Sequence, residues 1–281
     1  MVGPDVPDAS DAAVAVRAAR AGAAVARARS RTELSVLHRL GTDFTTDADI
    51  EAERAVRAVL AQDRPGDAIR GEELGADGDS SRCWLVDPIC GTLNFAAGLP
   101  LFAVNVALEV RGVTVAAAVV DVASGRVFWT DGIGAWQRAD ATDGFAGSNH
   151  PLAPTPASNL LTFNLESSYP GSIAAEFLFD STLRTRLSPR CLSTTLALAW
   201  VASGQHAAYV TGGDLRSNVH WNAGIALCQT AGAVVTNLAG GDLHTGDHGL
   251  VAAADRDTHD FVVARLNAMR EPPASRSARH N

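Results

Sequence analysis

Apolar residues recur at helical spacing in two stretches before any strand-like run appears. The Ala/Val/Arg pattern from Asp11 to about Ser30 suits one helix, and Thr46 followed three residues later by Asp49 forms a capping-box signature that opens a second through Leu60. The periodicity then shortens. Ala68 to Gly71 and Cys83 to Val86 are brief apolar runs ending at charged residues, as buried strands that deliver side chains to a cleft do. Leu101–Val110, Val113–Asp121, Arg126–Thr130 and Gly134–Gln137 read as a β-meander with turns at Arg111-Gly112 and Ser124-Gly125. A Gly-, Pro- and Ser-rich stretch over 141–158 reads as a linker. Beyond it the pattern predicts a strand at Leu160–Leu165, a helix at Ser172–Arg184, and a helix at Ser193–Ser203 stopped by Gly204. A strand at Ala207–Val210, a Gly-rich loop and a helix at Trp221–Ala231 come next. Strands at Ala233–Thr236 and Gly249–Ala253 and a helix at Thr258–Met269 complete the series. The expected organisation is a disordered N-terminus (1–10), an α+β subdomain (11–140), the linker (141–158), an α/β subdomain (159–270) and a disordered tail (271–281).

Composition narrows the possible partners. The chain has 281 residues, 47% of them hydrophobic, enough for a large core, and a formal charge of −8. No basic stripe interleaved with aromatics accompanies that acidity, so a nucleic-acid partner is not expected and a small-molecule substrate is. All 23 basic residues are Arg. The N-terminus lacks the basic-then-apolar order of a secretory signal, and no apolar run reaches the roughly 20 residues that span a bilayer. The expectation is a cytoplasmic protein that does not enter membranes. Its four cysteines, Cys83, Cys90, Cys191 and Cys228, show no CxxC spacing and read as free thiols.

The most informative segment is Trp84-Leu-Val-Asp87-Pro88-Ile89-Cys90-Gly91-Thr92. It resembles the inositol monophosphatase signature, in which a strand delivers Asp-Pro-Ile-Asp-Gly-Thr to a metal site. Gly71-Glu72-Glu73 is similar to the Gly-Glu-Glu strand end of that family, and Asp43-Phe-Thr-Thr-Asp-Ala-Asp49 to its Asp-x-x-Thr-x-x-Asp helix start. The resemblance implies a layered α/β sandwich of the αβαβα type, in two fused subdomains with the site in the cleft between them, and commonly a homodimer. It also implies that a Glu, two Asp and a further Asp from the second subdomain hold Mg²⁺, which activates water for attack on a phosphate ester. Glu72 and Asp87 fall on two of these ligands. Thr92 falls on a hydroxyl used near the attacking water, although Gly-Thr at a helix start is also capping chemistry. Asp49 doubles as the capping-box acid.

Two positions depart from the pattern. Cys90 stands where the family has its second Asp. For the ligand of the second subdomain, Trp221-Asn222 matches the family's Trp-Asp only if two residues are deleted inside the following helix, which would rotate the remainder by about 200°. The register without a gap, counted back from Ala231-Gly232, places His220 on the ligand, with Asn222 as the fallback. A Cys beside a His is the minimal unit of nucleophile and base, and Asp87 would orient the imidazole. A helix start would also lower the Cys90 pKa. The leading expectation is therefore an enzyme that has left Mg²⁺ chemistry, needs no cofactor and carries out acyl or thioester transfer, hydrolysis or cyclisation on a small biosynthetic intermediate, free or carrier-bound. Cys90, His220, Asp87 and Thr92 would be its catalytic residues.

An alternative keeps metal chemistry. Glu72, Asp87, Cys90 and His220 form a mixed set for Zn²⁺, or Mg²⁺ persists, in a phosphatase of a small phosphorylated metabolite. A third reading is a non-catalytic relative that binds a ligand. Glu72, Asp49, Arg216 and Asn222 are candidates to hold substrate or a residual cation, Arg216 lying in the Gly212–Asn218 stretch that replaces the family's substrate loop. His38 and Cys83 are weaker candidates.

Overall fold

In the computed structural model, residues 9–40, 43–139, 147–165, 173–246 and 248–270 are described. The expectations for residues 1–8, for residue 140 and 141–146 of the linker, for Ser172 at the start of a predicted helix and for the tail from 271 lie outside them. The described residues form two compact units, the first comprising residues up to Leu152 together with Ser193–Ala199 and Ser217–Ala231.

In chain order the first unit supplies α1 (Asp11–Arg29), β1 (Val36–Leu40), β2 (Asp43–Thr46), α2 (Asp47–Asp63), β3 (Ala68–Gly71), β4 (Ala76–Asp77), β5 (Arg82–Cys90) and α3 (Thr92–Ala96). The meander follows as β6 (Ala103–Val110), β7 (Val113–Asp121), β8 (Val127–Thr130), β9 (Ala135–Arg138) and β10 (His150–Pro151). Ser10 caps α1 by accepting from the Ala13 amide, and the predicted capping box of Thr46 and Asp49 opens α2. The β1–β2 hairpin between the two helices is an addition to the predicted elements.

Eight strands order as β10-β9-β8-β7-β6-β5-β3-β4, with β3 and β5 parallel and the other neighbours antiparallel. Alternate residues divide the two faces of this sheet. Trp84, Val86, Val104, Val106, Leu108, Ala116 and Ala118 pack with the Ala-rich face of α1 and with α2. The other face carries Asp87, Asn105 and Glu109.

The second unit contains β11 (Leu160–Phe163), α4 (Ile173–Phe179), α5 (Ser181–Arg184) and β12 (Ser188–Cys191). After α6 (Leu196–Ala202), whose first residues belong to unit 1, come β13 (Ala208–Thr211), α7 (Asn222–Ala231), which belongs wholly to unit 1, and then β14 (Val234–Thr236), β15 (Leu250–Ala253) and α8 (Arg256–Arg270) of the second unit. Its sheet orders β12-β11-β13-β15-β14, and Leu161, Phe163, Val210, Val251, Val262 and Leu266 fill its core. The single helix predicted over 172–184 is two short helices, because Asp180 leaves the helical conformation and caps Leu183.

α7 departs from the simple division at 141–158. It buries Ala223, Gly224, Ile225, Ala226, Leu227 and Cys228 and packs on β7 and β8 of the first unit. A Cβ at Gly224 would come within 2.7 Å of Leu198, so the helix needs glycine there to approach so closely. Late chain segments thereby join the early sheet.

Candidate metal centre

The end of β5 is bent by its own sequence. Asp87 pairs with Asn105 and Cys90 with Ala103, so three steps on β5 oppose two on β6. This is a β-bulge, and it falls at Pro88, which has no N–H to give to a ladder. In a regular strand residues three apart face opposite sides. The extra residue instead turns the Cys90 thiol toward the Asp87 carboxylate. Gly91 follows at φ 104°, a left-handed conformation that favours glycine, and starts α3.

His220 enters from the turn before α7. Its amide donates to Asn218 Oδ1 at 2.9 Å, and its ring Nδ1 lies 2.8 Å from Asp87 Oδ2. Nε2 faces Glu72 Oε1 at 3.9 Å. One donor atom from each of Asp87, Cys90 and His220 lies within 4.8 Å of the others. The structure thus brings together the aspartate, thiol and imidazole singled out in the sequence, with Glu72 at their edge, and all four belong to one compact unit. Asp87 is fully buried; its Oδ2 takes hydrogen bonds from His220 and, at 3.4 Å, from Asn105, while its Oδ1 has no partner.

Electrostatics couple the four groups. Burial opposes a charge on His220, but its hydrogen bonds to Asp87 and Cys90 and the charges of Asp87 and Glu72 outweigh that and hold its pKa well above the ordinary value. Burial and the charge of Asp87 push Glu72 well above the usual carboxylate range. The Cys90 thiol, 8% exposed, is pushed up to about 11 by burial first and Asp87 second, against the hydrogen bonds from His220 and from the Thr195 amide at 3.4 Å. The lowered pKa expected from a helix start is thereby corrected. α3 is only five residues long, and the cost of desolvating a thiolate dominates.

Other expected residues take different places. Asn222 does not join the group: its Nδ2 donates to Glu109 at 2.6 Å and its Oδ1 accepts from the Asn218 amide. That side chain ties α7 to the sheet. Thr92 donates to the Ile89 carbonyl at 3.1 Å and lies 3.4 Å from Asp49 Oδ1. Asp49 accepts from the Thr46 amide and hydroxyl, and burial raises its pKa to about 6. Arg216 belongs to the other unit and donates to the His244 carbonyl, so it is not among the residues grouped with Asp87. His38 lies exposed on β1, and burial raises the pKa of Cys83.

Three neighbours were not anticipated. Asn105 and Thr195 hydrogen-bond each other at 2.9 Å behind Asp87 and Cys90, and Glu53 on α2 accepts from the turn that carries Glu72. Only Glu53 left a sequence signal, lying one helical turn past Asp49 on the same face.

The donor set fits a cation, because a carboxylate, an imidazole and a thiol each bring one ligand atom within 4.8 Å of the others and the buried Asp87 Oδ1 has no hydrogen-bond partner. A mixed set of oxygen, nitrogen and sulfur is chemically within reach of a borderline-soft ion, whereas Mg²⁺ prefers oxygen ligands alone.

Comparison with known proteins agrees with the fold. The profile of the inositol monophosphatase family matches residues 8–271. An inositol-1-monophosphatase of Caulobacter vibrioides is 31% identical over 84% of this chain and 92% of its own length, and one of Mycobacterium leprae is 35% identical over 80% and 78%. Among solved structures, SuhB of Mycobacterium tuberculosis aligns at 30% identity with a TM-score of 0.71, over 92% of this chain and 96% of that one. An IMPase of Thermotoga maritima, at 23% identity and a TM-score of 0.75, shares the fold over 90% of this chain and 94% of its own. The curated relatives are phosphatases by name, and the solved structures share the layered α/β fold. The chain belongs to the inositol monophosphatase family. Among the described residues no helix is long and apolar enough to cross a membrane.

Proposed function

We propose that the chain is a phosphatase of a small phosphorylated metabolite whose cation site is built from Glu72, Asp87, Cys90 and His220 and takes a Zn²⁺-like ion where the family signature is built for Mg²⁺. The convergence of Asp87, Cys90 and His220 donors within 4.8 Å, beside the orphaned Asp87 Oδ1, carries this reading. Family membership and the names of the curated relatives support phosphate-ester hydrolysis over acyl chemistry. The thiol pKa of about 11 also weighs against Cys90 as a free nucleophile at neutral pH.

An ion held by Glu72, Asp87, Cys90 and His220 would supply a lowered pKa for a coordinated water and positive charge to offset that on a leaving oxygen. The rest is done by the chain. Asp87 holds the His220 ring by Nδ1 and fixes which nitrogen is left to bind. Asn105 and the Thr195 amide hold the Asp87 carboxylate and the Cys90 sulfur in place. Thr92, which donates to the Ile89 carbonyl and lies 3.4 Å from Asp49 Oδ1, keeps a lone pair with which it can accept a hydrogen bond from a water, beside a carboxylate ionised above about pH 6.

Metal analysis of protein purified without chelator tests the proposal, together with phosphatase assays on small phosphomonoesters in Zn²⁺ and in Mg²⁺. Near-stoichiometric zinc, with activity abolished by chelation and restored by zinc, is expected. Full activity in a Cys90→Ala variant with Mg²⁺ alone would exclude the mixed site.

A further inference from the structure

We infer that Glu53 is a positioning residue for this centre: its buried carboxylate fixes the Gly71–Gly75 turn and, through it, the carboxylate of Glu72. The inference rests on the metal reading above and adds to it a residue that touches none of the proposed ligands.

α2 presents Asp49, Glu53 and Arg57 at successive four-residue intervals, hence on one face. Asp49 reaches Thr92. Glu53, fully buried, accepts from the Glu73 amide at 2.7 Å through Oε2 and from the Leu74 amide at 3.2 Å through Oε1. Arg57 donates to Glu53 Oε1 at 2.7 Å and also to the Gly75 carbonyl. The same turn is closed by Gly71 donating to Gly75 and is tied to the sheet by Glu72 donating to the Val86 carbonyl.

The fit leaves little slack. A Cβ at Gly71 would lie 1.8 Å from Glu53 Oε1, so the carboxylate rests directly against the backbone preceding Glu72. Glu73 is pinned as well, accepting from the Thr45 hydroxyl at 2.8 Å. Glu72 therefore projects toward Asp87 and His220 from a turn whose amides are held by one anion and whose carbonyl is held by that anion's cationic partner. Charge-assisted bonds of this kind are short and directional, which suits a support for a ligand that must be placed to fractions of an ångström.

Glu53→Gln preserves volume, but its amide group turns a donor toward the donors of the turn. The test is competition of apo-protein with a chromogenic chelator for Zn²⁺, together with the visible absorption spectrum after loading with Co²⁺. Wild type, Glu53→Gln, Glu72→Gln and the double variant are compared. Loss of an outer partner of a metal ligand typically costs about 10–100-fold in affinity. A fall of that size is expected for Glu53→Gln, with a changed Co²⁺ spectrum and with little further loss when Glu53→Gln is added to Glu72→Gln. That non-additivity is the readout a merely structural role would not give. Should Glu53→Gln fail to fold, Arg57→Gln takes its place in the cycle, with a smaller loss in the same direction. Unchanged zinc affinity in the folded variant, or full additivity with Glu72→Gln, overturns the inference while leaving the metal site standing. Wild-type protein that takes up neither ion defeats the metal reading, and this inference with it.

Discussion

Two histidines, one in each compact unit, show how surroundings decide what an imidazole does. His206 is buried in the second unit, where its Nδ1 meets the neutral Thr162 hydroxyl at 2.9 Å and its ring packs against Trp200. Burial there drives its pKa down to about 4. His220 is only half-buried, burial again opposes its charge, and yet among Asp87, Glu72 and Cys90 it is shifted upward. One is a neutral core residue; the other lies against the buried Asp87 carboxylate, whose charge a bound proton or a cation would offset. A buried histidine is thus not evidence of function in itself, whereas its acidic and sulfur neighbours are.

Substitution should separate the two most sharply. His220→Ala should lower zinc affinity and phosphatase rate by more than the roughly 100-fold that loss of an outer partner can cost. His206→Ala should leave metal affinity unchanged and lower stability by about 1–3 kcal/mol through the unpaired Thr162 hydroxyl and the lost packing. Equal zinc affinity in wild type and His220→Ala would erase the contrast. Next in size, Cys90→Asp returns an all-oxygen ligand to the bulge and should shift preference toward Mg²⁺ by on the order of tenfold or more, read as the ratio of Mg²⁺- to Zn²⁺-supported rates. An unchanged ratio would mean that the sulfur holds no ion.

The pH dependence of stability sharpens the same comparison from the other side. His206 has a folded pKa of about 4 against an ordinary 6.5, so the fold refuses a proton that the unfolded chain accepts. Its contribution is fully present above pH 6.5 and is lost as pH falls from there toward 4. Between pH 7 and pH 5 the loss is on the order of 2 kcal/mol. Urea midpoints of His206→Gln should lack that part of the decline; parallel curves for variant and wild type would contradict it. The smallest effect is expected from Asn222→Ala, on the order of 1 kcal/mol of stability from the stranded Glu109 carboxylate, with zinc affinity unchanged.

The sequence made much of this legible, because the informative residues obey local rules. The Thr46 and Asp49 capping box and the meander could be placed from spacing, and the Asp87-to-Thr92 segment from its resemblance to the signature of the family whose profile the chain matches. The helical register selected His220 over Asn222, and the structure sets His220, not Asn222, against Asp87. Three-dimensional facts were out of reach. Nothing local announces that α7 returns to the first sheet, or that the bulge at Pro88 turns Asp87 and Cys90 to the same side. The direction of the Cys90 shift was misread because helix-start chemistry is visible in a sequence, whereas desolvation depends on everything packed around the sulfur.

Whether sulfur, nitrogen and oxygen share one ion can be measured directly. Zinc K-edge X-ray absorption on protein purified without chelator should resolve one sulfur at about 2.3 Å with nitrogen and oxygen near 2.0–2.2 Å, and Cys90→Ser should remove the sulfur shell alone. A shell of oxygen and nitrogen only in the wild-type protein, or protein that retains no zinc, would contradict the mixed centre.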